Sequence, residues 1–299
     1  MSDTPRILVV GATGMLGEPV ARRLSSDGYS VRVLVRSPQR AEERLGEGFE
    51  IVEGDVERPE TVVAALQDCD GVHVNLAGGP DVESYDRIEH RGTANVATAA
   101  AQVGVGRISY LSGASVSGEN AWFYTTKAKF QAEAAIHASG VPYSIFRATW
   151  FHESLPLFVR NGKAMVMGKQ VHPWRWVAAK DYARMVSTAF RMPEAANQTF
   201  YVLGPEAYTL EDALRIYCER VEPDAQLKRV PLFFLGIMAR LTRNALLGDV
   251  TRLMRYFERA REGGDPTETN ALLGAPSTTL EEWCAERTYE SQTGESPSD

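Results

Sequence analysis

Apolar residues along this chain fall into short runs, separated by longer stretches in which they recur every three or four positions. The runs "RILVV" (6–10), "SVRVLV" (30–35), "FEIVEGD" (49–55), "GVHVNLA" (71–77), "RISYLSG" (107–113) and "YSIFRAT" (143–149) read as strands. Between them, "EPVARRLSSDG", "PETVVAALQDC", "GTANVATAAAQVG" and "KFQAEAAIHASG" carry helical spacing. Several of these close on glycine, which tolerates the left-handed turn that ends a helix. Alternation at this interval predicts βαβ units, and with them an α/β fold built on a parallel sheet with right-handed crossovers.

After about Phe151 the alternation loosens. "HPWRWVAAKDYARMVSTAF" predicts a short strand and then a helix capped by Asp181, and "QTFYVLG" predicts a strand. "TLEDALRIYCERV" predicts a helix with Thr209 as N-cap and Asp212 at the capping-box position. Residues 230–260 read as helical and rich in Arg and Leu. The expected organisation is a nucleotide-binding domain over 1–150, to which some later segments return, a smaller α/β substrate or lid region over 151–288, and a disordered polar tail over 289–299. No internal repeat is visible.

Composition narrows the function classes. A net charge of −7 over 299 residues excludes a general nucleic-acid binder, which needs a basic surface to release counterions. Three cysteines, Cys69, Cys218 and Cys284, are too dispersed for a metal site or a disulfide framework. The run "VPLFFLGIMARL" is interrupted by Pro231 and Arg240 and is too short to span a bilayer. The chain enters its first strand with no signal-like segment, so a cytoplasmic location is expected.

Chemistry enters with "VVGATGMLGEPVARRL". Gly11, Gly14 and Gly17 lie between the first strand and the first helix, with Thr13, Met15 and Leu16 completing the loop. A first glycine permits a tight turn, a second lets backbone N–H groups approach a pyrophosphate, and a third allows close helix–sheet packing. The helix N-terminus adds partial positive charge. A dinucleotide is the expected cofactor.

The second strand ends "VLVRSPQR", with Arg36 where a carboxylate would hold the 2′-hydroxyl of NAD. A guanidinium there suits a 2′-phosphate, with Arg40 one turn on, so NADP is expected over NAD. After the third strand come Asp55 and Val56. The Asp55 carboxylate is placed either to accept from an adenine amine or to cap the next helix. Leu76, Ala77 and Gly78 end the fourth strand, where backbone would lie beside the cofactor.

"GATGMLG", "VLVRSPQR", "EGDVERPETVVAAL", "GTANVATAAAQVGVGRISYLSGASV" and "KFQAEAAIHASGVPYSIFRATWFHES" together resemble the NmrA-like, atypical group of the short-chain dehydrogenase/reductase superfamily, over about residues 5 to 190. The resemblance implies a Rossmann-type doubly wound parallel sheet that binds NADP, with a smaller C-terminal substrate region. It also implies a group in which reductases stand beside NADP(H)-binding sensors and subunits, so fold does not fix function.

In the superfamily a serine ends the fifth strand and a Tyr-x-x-x-Lys pair opens the next helix. Here the lysine position falls on Lys129, and four residues earlier stands Thr125. Tyr124 is one step off, about 140° from Lys129 around a helix. The resemblance makes Lys129 a cofactor ligand and leaves Tyr124 and Ser112 as candidate catalytic residues. The superfamily's supporting Asn is replaced by Glu89.

The segment after the sixth strand forms the substrate pocket in the NmrA-like group, which implies that role for Trp150, Phe151, His152 and Trp174. These aromatics suit a flat or apolar substrate, or, for the two tryptophans of "HPWRWV", plug the core, and His152 has the chemistry of an acid or base near neutral pH. Two functions lead. One is an NADP-dependent reductase of a carbonyl, quinone or conjugated alkene. The other is an NADP(H)-binding sensor or accessory subunit without turnover. A nucleotide-sugar epimerase of the extended type, which needs the Tyr–Lys pair more than either, ranks third. Residues 230–258 offer a surface for a homodimer or protein partner, and the Arg/Leu-rich stretch 239–262 reads as a lid, an oligomer helix, a membrane-surface helix or, most plainly, a helix packed on the C-terminal region.

Overall fold

The computed structural model describes residues 4–79 and 81–293. The chain divides into two compact units. Among the described residues, one comprises those within 1–148, 182–201 and 265–274, and the other those within 149–181, 202–264 and 275–293.

The first unit is organised by strands β1 (Arg6–Val10), β2 (Ser30–Val35), β3 (Glu50–Glu53), β4 (Gly71–Val74), β5 (Arg107–Gly113) and β6 (Tyr143–Ala148). Helices α1 (Gly17–Ser26), α2 (Pro38–Leu45) and α3 (Pro59–Leu66) join the early strands. A longer helical run follows β4. It begins as α4 (Val82–Ser84), loosens to a π-helix over Tyr85–Gly92 and continues as α5 (Thr93–Val103). Then come α6 (Tyr124–Ala138) and, later in the chain, α7 (Ala179–Arg191).

The seven-stranded sheet has the order β10-β6-β5-β4-β1-β2-β3, where β10 is Gln198–Val202. The pairs β1·β2, β2·β3, β1·β4, β4·β5 and β5·β6 are all parallel. Both faces of such strands are covered, which is why they read as near-continuous apolar runs. Leu8, Val10, Val72, Val74, Ile108 and Ile145 pack from the sheet against Val62, Leu66, Val96, Ala100 and Ile136 from the helices. The order reverses between β1 and β4, so the C-terminal ends of β1 and β4 diverge into a crevice.

The second unit holds two small sheets. Strand β8 (Lys163–Met167) pairs antiparallel with β7 (Val159–Arg160) and parallel with β12 (Gln226–Val230). Strands β9 (Trp174–Trp176) and β11 (Glu206–Tyr208) pair antiparallel. Helices α8 (Leu210–Val221), α9 (Leu232–Thr242), α10 (Ala245–Phe257) and α12 (Leu280–Thr293) complete it, while α11 (Thr267–Leu273) belongs to the first unit.

Thr209 caps α8 as expected, accepting from the Asp212 N–H at 3.2 Å. Asp181 does not cap α7. It lies inside the helix, and its carboxylate accepts from the N–H groups of Ser277 and Thr278 at 3.1 and 2.9 Å. Of the tail expected over 289–299, residues up to Thr293 belong to α12, and 294–299 lie outside the described residues. No described helix is long and apolar enough to cross a membrane.

Candidate functional site

β1 delivers the chain to Gly11, whose φ of 87° lies in the region L side chains avoid. A Cβ on Gly11 would stand 2.0 Å from the Asn75 carbonyl oxygen, and one on Gly17 would stand 2.1 Å from the Gly11 oxygen. Bare backbone at both positions is what lets strand, loop and helix close together. The Gly14 N–H then donates to the Gly11 carbonyl, and the Glu18 N–H to the Gly14 carbonyl, each at 3.0 Å. Glu18 sits in the first turn of α1, but Arg22 and Arg44 pair with its carboxylate at 2.9 and 2.6 Å. Its charge is therefore balanced, and the helix N-terminus keeps its positive potential for an anion.

Beside this loop lies a cavity of about 280 Å³. Its walls are Gly11, Thr13 and Gly14 from the loop, and Val35 and Arg36 at the end of β2. Asp55, Val56 and Glu57 after β3, and Leu76 and Ala77 after β4, close the other sides. A second hollow of about 410 Å³ opens among Thr13, Val35, Arg36, Ser37 and Arg40. Arg36 and Arg40 are exposed, and neither guanidinium has an ion-pair partner among the described residues. Two free guanidinium groups and two hydroxyls around one hollow are suited to a phosphate. Together the two hollows fit the adenosine and phosphate portions of a dinucleotide.

Thr13, Gly14, Arg36, Asp55, Val56, Leu76 and Ala77 thus come together from four separate segments. The other loop candidates stand apart from the wall: Met15 is 39% exposed and Leu16 is the N-cap of α1. Gly78 does not line the cavity either. A Cβ there would meet the Tyr85 ring at 2.4 Å, so its bareness makes room for that ring. Asp55 does not cap α3, whose N-cap is Arg58; its Oδ1 accepts from the Glu57 N–H at 3.0 Å in the turn before that helix, and the residue lines the cavity. Ser37 and Asn75 were not foreseen. The hydroxyl beside Arg36 is the only sequence cue for Ser37, and Asn75 emerges only once the close approach at Gly11 is known.

The proton-transfer candidates are arranged differently. Tyr124 opens α6, with its ring against Tyr85 and Phe123 at centroid distances of 5.3 and 4.6 Å. Lys129 is half-buried. Its Nζ donates to the Leu111 carbonyl at 3.1 Å and lies 5.5 Å from the centre of the Tyr110 ring. It also forms an ion pair with Glu89, a carboxylate only 1% exposed on the π-helical turn. Tyr110 is no substitute for the missing acid, because burial, Glu89 and Glu133 push its phenol well above the ordinary tyrosine range. Ser112 is buried, and its hydroxyl donates to Glu133 Oε1 at 2.5 Å. Arg147 clasps the same carboxylate at 3.0 and 2.6 Å and donates to the Tyr201 hydroxyl at 3.0 Å. The Ser112 proton is thereby committed to an internal network, which gives that residue a structural partner in place of a reactive one.

The aromatic residues expected at a substrate mouth pack on one another inside the second unit. Trp150 meets Phe158, Trp176 and Phe257 at 5.9, 5.4 and 4.6 Å, and Trp174 meets Phe257 at 5.5 Å. Phe151 and Trp174 are buried, and the cluster is part of the apolar core of that unit, beside residues such as Leu155, Val166 and Val177. His152 is 1% exposed and lies 5.7 Å from the Trp283 ring. Burial lowers its pKa to about 4, so the imidazole is neutral at physiological pH and ill suited to acid–base work there. Among the described residues no group of His, Cys, Asp or Glu has the arrangement of a metal site.

A family profile described as NAD(P)H-binding matches residues 11–213. The (4-alkanoyl-5-oxo-2,5-dihydrofuran-3-yl)methyl phosphate reductase of Streptomyces griseus is 30% identical over 295 residues, covering 94% of this chain and 97% of that enzyme. The photosystem II assembly factor Ycf39 of Trieres chinensis is 25% identical over 248 residues, covering 79% of this chain and 75% of that protein. Among solved structures, the NADPH-dependent quinone oxidoreductase of Escherichia coli complexed with NADPH aligns with a TM-score of 0.74 at 20% identity, over 93% of this chain and 98% of the other. The Citrobacter sp. triphenylmethane reductase complexed with NADP(H) aligns at 0.72 and 18% identity, over 95% and 99%. At those identities the two structures speak for the fold alone.

Proposed function

The chain belongs to the NAD(P)H-binding family, in the NmrA-like group of short-chain dehydrogenase/reductases, and from that premise we propose that it is an NADPH-dependent reductase of electron-poor double bonds conjugated to a carbonyl. The observation that carries the cofactor choice is the hollow bounded by Thr13, Arg36, Ser37 and Arg40, with both guanidinium groups free of an ion-pair partner among the described residues. A 2′-phosphate supplies the charge those arginines otherwise lack, and a 2′-hydroxyl does not. The glycine loop and the α1 N-terminus would hold the pyrophosphate, and Asp55, Val56 and Leu76 would flank the adenosine.

When bound, the cofactor supplies a hydride. What the chain lacks then bears on the acceptor. Hydride transfer to a simple ketone would concentrate alkoxide charge on one oxygen, which a positioned proton donor must offset as it develops, and Thr125 occupies the place of the superfamily's tyrosine. Hydride transfer to a conjugated alkene would spread that charge into an enolate, which depends less on such a donor and takes its proton from water. The name of the Streptomyces griseus relative describes a ring alkene conjugated to carbonyl groups, which supports this class. The role left for Lys129 is to orient the cofactor as a fixed cation.

A second reading, an NADP(H)-binding accessory factor without turnover, is favoured by the five-residue gap between Tyr124 and Lys129 and by the similarity to the assembly factor. One assay separates the two. NADPH oxidation by the purified protein is followed across enones, unsaturated lactones, quinones and simple ketones, with NADPH binding titrated alongside. The reductase reading expects turnover with conjugated acceptors that Tyr124→Phe leaves largely intact. Tight NADPH binding without turnover on any class would overturn it in favour of the accessory factor.

A further inference from the structure

Helix α9 is apolar around most of its circumference, with Arg240 and Thr242 in its last turn, an arrangement ordinarily found in helices buried on most sides. Only one of its faces is covered. Leu232 and Leu235 are buried, whereas Phe233, Phe234, Ile237 and Leu241 are 68%, 50%, 52% and 75% exposed. At 100° per residue these four side chains share an arc of about 100°, and Arg240 borders it. The chain then turns at Arg243, with φ of 52°, into α10, which packs back along α9 and leaves Leu246 59% exposed. The end of this helical hairpin therefore carries Leu241 and Leu246 beside Arg240 and Arg243.

Charge is concentrated in the same place. Residues 226–261 hold eight Lys or Arg and two Asp or Glu, a net +6 in a chain of −7. Glu211 and Asp249 neutralise Arg229 and Arg252. Arg240, Arg243, Arg255 and Arg259 are exposed and have no ion-pair partner among the described residues.

We propose that the α9–α10 hairpin docks on an anionic lipid surface. Phe233, Ile237, Leu241 and Leu246 enter the boundary between headgroups and acyl chains, and Arg240 and Arg243 meet the lipid phosphates. A bilayer offers an apolar interior and a negative edge in one ligand, which matches both features of the hairpin. A second copy of the chain would instead bring two positive hairpins together. The eleven residues of α9 are too few to cross the hydrocarbon, so binding is in the plane of the surface. This inference stands apart from the catalytic reading and holds whether or not NADPH is turned over.

The test is sedimentation of the full chain with vesicles of phosphatidylcholine and phosphatidylglycerol at three to one, against phosphatidylcholine alone. The protein is expected in the pellet with anionic vesicles, and far less so with neutral vesicles or at high salt. Serine at Phe233, Ile237 and Leu241 together should weaken binding by roughly tenfold or more, and Arg240→Gln with Arg243→Gln by roughly tenfold. All five side chains are exposed, and unchanged NADPH affinity would verify that the variants fold. Absence of the wild type from anionic pellets overturns the proposal, as does a triple-serine variant that binds like wild type. A wild-type dimer by light scattering that the serine variant makes monomeric would assign the face to a second copy, and overturns it equally.

Discussion

At the scale of single residues, the proposed selection between the two nicotinamide cofactors rests on Arg36. It is exposed at the end of β2, borders both hollows and has no ion-pair partner among the described residues. Charge-assisted hydrogen bonds to a phosphate are each worth roughly 1.5–3 kcal/mol, and NADH offers no phosphate there. Arg36→Ala is accordingly expected to weaken NADPH by roughly tenfold to a hundredfold while leaving NADH affinity nearly unchanged. Fluorescence titration with both nucleotides measures this. An unaltered ratio of the two affinities would remove the phosphate assignment. The positions of Arg36 and the glycine loop were legible in the sequence because they are set locally: one follows a strand directly, and the other must turn within a few residues. Ser112 and His152 were not legible in the same way, because a sequence shows which groups are present and not which partner takes them. Glu133 binds the hydroxyl of Ser112, and burial holds His152 neutral.

At the scale of elements, the inner strands of the large sheet were legible because their runs are largely apolar on both faces, and the edge strand β3, Glu-Ile-Val-Glu, from the regular alternation of strands and helices around it. The small strands β8 and β12 were not. "KAMVM" and "QLKRV" carry weak patterns, and they pair across some sixty residues of chain. The π-helical turn Tyr85–Gly92 also left no sequence signature, since widening the hydrogen-bond ladder by one residue needs no particular side chain. That turn matters because it sets Glu89 against Lys129 of α6, forty residues away, and makes their pairing a joint property of two elements. Glu89 is almost fully buried, so removing its charge leaves a half-buried ammonium with the Leu111 carbonyl as its remaining described hydrogen-bond partner. Breaking one side of such a pair costs more than replacing both, by about 2–3 kcal/mol here given the partial exposure of Lys129. Glu89→Gln should therefore lower the urea midpoint more than Glu89→Gln combined with Lys129→Met. A double-mutant cycle reads the coupling, and additive single changes would mean that the ion pair holds nothing together.

At the scale of the whole molecule, each unit contains one histidine buried neutral. His73 on β4 lies in the first unit, with Nδ1 2.9 Å from the Ser109 hydroxyl and Nε2 3.4 Å from the Tyr182 hydroxyl, and His152 lies in the second. Burial lowers their pKa values from 6.5 to about 3 and about 4. In the unfolded chain both return to the ordinary value, so between pH 6.5 and 4 the unfolded state binds more protons and acid favours it. The stability these neutral imidazoles allow is complete above pH 7 and is lost as pH falls through 6.5. By pH 5 the loss is on the order of 2 kcal/mol for each histidine. The paired carboxylates Asp27, Asp86 and Glu211, whose pKa values are lowered, stay ionised through this window and add their own loss only at lower pH. Because the two histidines sit in different units, both units should weaken together. Thermal unfolding followed from pH 8 to pH 5 should show a falling midpoint that His73→Gln and His152→Gln together flatten. A midpoint independent of pH over that range, or a double variant as steep as the wild type, would place the acid sensitivity elsewhere.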